Sequence, residues 1–175
     1  ITGQDHADFA PNVSLLRPWA KGFVRWPEDA PRIPHASPLL SKPRYPHMDY
    51  ARAKGISKKY ASSGWAAFER PFAMWCATQG IDLDFATQHD LHRDPGALDG
   101  YDRVLIAGHD EYWTWEMRDH LDAWVDQGGK LARFGGNFFW QTRLSDDLLT
   151  QTCYKTTAEV ADPMAKTNRL TSYWD

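Results

Sequence analysis

His109, Asp110, Glu111 and Tyr112 occupy consecutive positions of the string GHDEYW, directly after the apolar run of RVLIAG. An imidazole titrates near neutrality, so His109 is a candidate general acid or base. Glu111 is another wherever burial raises its pKa. Tyr112 can donate a hydrogen bond or, as a phenolate, ligate a hard ferric ion. The same string also has a structural reading. Asp110 would cap a following helix, Glu111 would sit in its first turn, and Tyr112 and Trp113 would pack inward. A cap needs one acidic residue, and four chemically able side chains in a row exceed that need.

Two further strings have comparable content. QHDLHRDP (88–95) sets His89 and His92 three apart around Asp90, a spacing open to a metal such as zinc or to a short helix capped by Asp90 and Asp94. In GGNFFWQTR (135–143) the glycines permit tight turning, Asn137 is a candidate to orient a substrate amide, and Arg143 a candidate to pair with an acid. The plain alternative is a glycine-rich strand exit sealed by Phe138, Phe139 and Trp140.

These strings need elements to position them. IDLDFAT (81–87) alternates apolar and polar and predicts a strand; YDRVLIAG (101–108) has the continuous apolar run of a strand covered on both faces. KLARFGG (130–136) predicts a third strand and LLTQTCYK (148–155) a fourth. Trp65, Phe68, Phe72, Trp75 and Cys76 recur at three- and four-residue steps, so a helix with one apolar face is expected, regular from Pro71 and stopped at Gly80. A second helix is expected over about 114–127, ending at QGGK. Strands alternating with helices predict a three-layer α/β domain with a flavodoxin-like parallel sheet. In such sheets ligands bind at the carboxyl ends of the strands, where all three strings fall.

Composition sets outer bounds. The chain has 175 residues, 42% of them hydrophobic, with nine tryptophans, enough for one domain with a core. A net charge of −3 with no basic run gives no reason to expect nucleic acid, and no stretch is apolar enough for a membrane span. The cytoplasm is the default expectation. Eight of the eleven prolines fall in the first 47 residues, which argues against helices and central strands there. Trp19, Phe23, Val24 and Trp26 punctuate that stretch, so residues 1–59 are expected to form an extended arm packed on the domain of residues 60–175, on a preceding domain or on another subunit, a partner or a second copy. Cys76 and Cys153 read as buried small hydrophobes. No G-x-S-x-G elbow, phosphate-binding glycine loop or dinucleotide fingerprint is present.

GHDEYW followed by Met117-Arg118-Asp119, together with AFERPFAMW and GGNFFWQTR, resembles the C-terminal domain of the large (beta) subunit of N,N-dimethylformamidase and its relatives. The resemblance runs from about Tyr60 to Arg143, with an echo in CYK (153–155) and ADP (161–163). It implies a fold similar to the class I glutamine amidotransferase domain and hydrolysis of a small amide C–N bond. It also implies a mononuclear ferric iron held by two tyrosines and a glutamate, acting as a Lewis acid. Tyr112 matches one of those tyrosines. His109 or Glu111 would then move protons, and Asn137 would position the substrate. Where the second tyrosine is expected the chain has Glu69, Arg70 and Pro71, and Tyr60 is the nearest candidate. The glutamate is expected after residue 160 or outside this chain, whose end, RLTSYWD, falls where relatives continue. The competing reading is a non-catalytic amidotransferase-like domain that binds or assembles through the aromatic arm.

Overall fold

The computed structural model describes residues 10–16, 25, 27–30, 46–56, 64–135 and 140–174. Tyr60, Asn137 and the arm residues Trp19, Phe23, Val24 and Trp26 lie outside the described residues. The chain forms two compact units, Pro18–Leu83 and the combination of Ile1–Arg17 with Asp84–Asp175.

In the first unit, helix α1 (Pro46–Ala53) begins on a proline within the stretch expected to lack helices. Proline's missing N–H costs nothing in a first turn, which explains the exception. Ala30, Ala51 and Ile56 form a small buried cluster with Tyr50, whose hydroxyl donates to Asp29. Helix α2 (Arg70–Thr78) follows a π-helical turn over Trp65–Glu69 and carries Pro71 in its first turn, as the sequence predicts. Its stop is also as expected: Gly80 takes φ +68° and the Ile81 N–H reaches back 3.0 Å to the Cys76 carbonyl. Of the expected apolar face, Cys76 is buried, while Trp65, Phe68 and Trp75 are exposed.

The second unit carries the candidate strings. Its elements are β1 (Asn12–Ser14), α3 (Gln88–Arg93), β2 (Arg103–Ala107), β3 (Tyr112–Trp113), α4 (Trp115–Asp126), β4 (Lys130–Phe134), β5 (Trp140–Gln141), β6 (Arg143–Leu144), β7 (Thr150–Thr152) and α5 (Ala158–Ala161). β2 and β4 pair in parallel from Arg103↔Lys130 to Ala107↔Phe134, with α4 between them in sequence, the expected β-α-β order. β3 and β5 form a second parallel pair, and β1-β7-β6 an antiparallel sheet in which part of the arm supplies an edge strand. The architecture is therefore mixed α/β, with small parallel and antiparallel sheets.

Residues 81–87 form no strand among the described residues. Alternation gives a chain two faces, but a ladder needs a neighbour's N–H and C=O groups, which the pattern does not specify. The apolar run of β2 is likewise covered on one face. Val104 and Ile106 pack on Leu91 of α3 and on Met117, Leu121 and Trp124 of α4, while Leu105 is 39% and Leu131 40% exposed.

The QGG stop after α4 uses its two glycines differently. Gly128 takes φ +100°, which an L side chain rarely adopts. At Gly129 a Cβ would lie 2.4 Å from the Trp124 ring. Trp124 is fixed by its Nε1–H donating 3.1 Å to the Tyr101 carbonyl, so it cannot yield cheaply.

The C-terminal segment is tied down by Asp162, whose side chain has no exposed surface. Its carboxylate accepts from Arg143 Nη1 at 2.9 Å and Nη2 at 2.8 Å, from the N–H groups of Met164 and Thr171 at 2.9 Å each, and from Thr171 Oγ1 at 2.7 Å. Burial alone would raise the Asp162 pKa, but the Arg143 fork and these donors outweigh it and hold the carboxyl well below the usual range.

Two outcomes follow. Gly129→Ala is expected to lower stability by about 1–3 kcal/mol through overpacking against Trp124, read from the urea midpoint. Asp162→Asn is expected to cost about 3–5 kcal/mol at pH 7 by leaving Arg143 uncompensated. The carboxylate's contribution is whole above about pH 4, the unfolded value, and is lost as pH falls toward the depressed folded one. The urea-midpoint gap between wild type and Asp162→Asn should therefore narrow at pH 3, and a constant gap would contradict this account.

Candidate functional site

The parallel pair β2–β4 ends in two glycines that touch. Gly108 takes φ +95° and donates its N–H 2.9 Å to the Phe134 carbonyl. A Cβ on Gly135 would stand 2.5 Å from the Gly108 carbonyl oxygen. Neither position admits a side chain, so the HDEYW loop leaves the strand ends at a fixed place and angle.

Asp110 anchors that loop from beneath. Its carbonyl accepts from Arg133 Nη2 at 3.0 Å and from Trp113 Nε1 at 3.2 Å, and its Oδ1 from Gln88 Nε2 at 2.7 Å. Gln88 also donates 3.1 Å to the Tyr112 carbonyl. Burial pushes the Asp110 carboxyl up, and the attraction of Arg133, whose Nε lies 3.7 Å away, does not cancel it. Asp110 is thus not the expected cap. Thr114 caps α4, its Oγ1 accepting from the Met117 N–H at 3.2 Å, and Glu116, not Glu111, occupies the first turn.

Glu111 is released for other work. Its side chain is 13% exposed; Oε2 lies 3.0 Å from His109 Nε2, and Oε1 accepts from Trp140 Nε1 at 2.9 Å. The Trp140 N–H donates 3.0 Å to the Glu111 carbonyl, so backbone and side chain hold one geometry. His109 is 56% exposed, which leaves the pair open to solvent.

Tyr112 lies on one rung with Trp140 and Tyr173. β3 registers Tyr112 against Trp140, a bridge joins Trp140 to Tyr173, and the Trp140 and Tyr173 rings stack with centroids 4.3 Å apart. Lys155 Nζ lies 5.1 Å from the Tyr112 ring centroid and 5.2 Å from that of Trp140. The sequence reading missed Trp140 and Lys155 as parts of this cluster. The sequence offers Trp140 only as a seal at a strand exit and Lys155 only as the last residue of CYK. Cys153, in the same string, is buried, its thiol pushed up by burial and donating weakly toward the Gln141 carbonyl at 3.5 Å, so it is no nucleophile.

The other strings resolve structurally. Asp90 completes a capping box with Thr87, while His92 Nδ1 turns to Thr114 Oγ1 at 2.8 Å, so His89, Asp90 and His92 do not converge. Arg143 pairs with an acid as expected, and that acid is the internal Asp162. A cleft of about 580 Å³ is lined by His92, Arg93, Glu116, Arg143 and Arg169 and by no residue of GHDEYW. Its charges are largely spent on one another, Arg169 on Glu116 at 2.6 Å and Arg143 on Asp162.

At Tyr112, which the resemblance matches to an iron ligand, the Lys155 ammonium lies over the ring, 5.1 Å from its centroid, and a nearby cation favours the phenolate, the form that ligates a hard ion. Glu111 is a second hard oxygen donor in the same loop, and no glutamate follows Glu159 in the chain. Among the described residues no three His, Cys, Asp or Glu side chains gather at one point.

A family model described as N,N-dimethylformamidase beta subunit-like, C-terminal, matches residues 2–175. The N,N-dimethylformamidase beta subunit of Paracoccus aminophilus is 34% identical over 68 residues, 38% of this chain. That of Alcaligenes sp. is 36% identical over 69 residues, again 38% of the chain. The matched stretch spans 9% of the length of each relative. Among the described residues no helix is long and apolar enough to cross a membrane.

Proposed function

The chain belongs to the N,N-dimethylformamidase beta subunit-like, C-terminal family, and from that premise we propose that it handles protons in the hydrolysis of a small amide C–N bond. The observation that carries this reading is the His109 Nε2–Glu111 Oε2 approach of 3.0 Å, just past the carboxyl end of β2. With Nε2–H donating to Glu111, Nδ1 is the basic nitrogen of a neutral His109. Nδ1 takes a proton from the water that attacks the amide carbonyl and returns it to the departing amine nitrogen. Glu111, held by Trp140, fixes the imidazole and balances the imidazolium in between. Asn137, three positions after Phe134 in the sequence, is assigned to orient the amide.

Iron bound here would supply Lewis-acid polarisation of the carbonyl. From this loop it would draw on Tyr112, as the resemblance implies, and on Glu111. The β2-α4-β4 unit is read as part of a flavodoxin-like three-layer sheet of class I glutamine amidotransferase type, a reading supported by its parallel register. The relatives are named beta subunits, which supports a partner subunit met through the arm of residues 1–59.

The test is amine release from N,N-dimethylformamide by the full-length protein with its partner subunits. Glu111→Gln and His109→Ala are each expected to lower kcat by about 100-fold or more with the circular dichroism unchanged. Wild-type turnover in Glu111→Gln would sink the proposal, and a wild type that releases no amine would favour the binding or assembly reading.

A further inference from the structure

Lys155 is held in a backbone conformation that lysine rarely adopts. Its φ is +52°, in the left-handed region that L residues avoid. Thr171 keeps the chain there: its carbonyl accepts the Lys155 N–H at 3.0 Å, and its Oγ1 accepts the Tyr154 N–H at 2.9 Å. The turn delivers the ammonium over two aromatic faces at once, 5.1 Å from the Tyr112 ring centroid and 5.2 Å from that of Trp140. Those two residues are register partners across the β3–β5 ladder, and Tyr173 backs the Trp140 ring with centroids 4.3 Å apart.

A cation within about 6 Å of an aromatic centroid is attracted by the electron-rich face of the ring. Two such faces at nearly equal distance form the wall of an organic-cation site. Glu111, whose Oε1 accepts from Trp140 Nε1 at 2.9 Å, adds a carboxylate at the edge of that wall. Tyr112 contributes its ring face, which leaves its oxygen to the ligand role the resemblance gives it. Lys155 is the internal occupant. It is half-buried, as is Tyr112, so the position borders on solvent.

Hydrolysis of an N,N-dialkyl amide supplies a competing cation. Water adds to the carbonyl, the C–N bond breaks, and the products are a carboxylate and an amine. An aliphatic amine, like a lysine side chain, carries a proton at neutral pH. We propose that the Tyr112–Trp140 wall is a binding site for small alkylammonium ions, and that Lys155 fills it so that the protonated amine product is turned out rather than retained. The inference rests on the amide hydrolysis read at His109 and Glu111, whose carboxylate shares Trp140 with the wall. Like charge does the excluding, because the repulsion between two cations at contact exceeds what the ring faces return.

The test uses the full-length protein with its partner subunits. The probe is tetramethylammonium, a cation that has no proton to lose, with tert-butanol as its neutral counterpart. Binding is followed by broadening of the probe's methyl proton resonance. Lys155→Ala vacates the wall and is expected to bind tetramethylammonium about tenfold more tightly than wild type, with no comparable gain for tert-butanol. Lys155→Arg, which keeps a cation over the rings, should stay at the wild-type level. Adding Tyr112→Leu to Lys155→Ala should abolish the gain. If Lys155→Ala fails to fold, Lys155→Gly, suited to φ +52°, makes the same comparison. Dimethylammonium should displace the probe from Lys155→Ala and, in turnover, inhibit that variant at about one-tenth of the concentration needed for wild type. Equal binding of tetramethylammonium by wild type and the vacated variant, or an equal gain for tert-butanol, would overturn the cation site and leave the hydrolysis reading standing. Capture of the probe by Lys155→Ala in a protein whose wild type releases no amine would uphold the cation site and sink the hydrolysis reading instead.

Discussion

A buried carboxylate that meets five donors organises the candidate site from a distance. Asp162 holds the Arg143 fork on one side and Thr171 on the other. Thr171 in turn accepts the backbone N–H groups of Tyr154 and Lys155. One residue further, the Ser172 carbonyl accepts the Gln141 N–H at 2.8 Å, and Tyr173 bridges to Trp140. The lysine, the tryptophan and the outer tyrosine of the cluster therefore all hang from one ionised side chain. Short strands of two or three residues have little stability of their own, so this polar lock does what a longer sheet would otherwise do.

Asp110 and Asp162 show how donor count sets the character of a buried acid. Both are largely withdrawn from water, and burial alone would raise both. Asp162 has a bidentate guanidinium and three further donors, and its pKa falls. Asp110 has Gln88 on one oxygen and Arg133 no nearer than 3.7 Å on the other, and its pKa rises. A carboxyl that pays for burial in this way persists because its backbone carbonyl and its side chain together set the course of the HDEYW loop. That course presents Glu111 to His109 and Trp140, and Tyr112 to Lys155.

Much of the local structure was legible. Glycine stops at Gly80 and at Gly128-Gly129, proline in the first turn of α2, the β2-α4-β4 alternation and the strand within LLTQTCYK all follow from short-range rules. Other readings failed where a local pattern admits two partners. Asp110 and Thr114 are both able caps, and the choice fell to Thr114 because Gln88 and Arg133, 22 and 23 positions away, claim Asp110. The alternation of residues 81–87 promised a strand and found no ladder among the described residues. The apolar run of β2 promised two covered faces, yet α3 and α4 cover one.

For this protein the sequence alone determined the chemical inventory and where the chain turns. His109, Glu111 and Tyr112 follow a strand end because RVLIAG runs into a glycine, and periodicity and turn chemistry act over a few residues. Tertiary structure alone decided who meets whom. Trp140 reaches Glu111 across 29 positions, and Lys155 reaches Tyr112 across 43 through a left-handed turn held by Thr171. No spacing rule encodes such meetings. They depend on strand register and on a distant buried carboxylate, and those arise only when the whole unit packs.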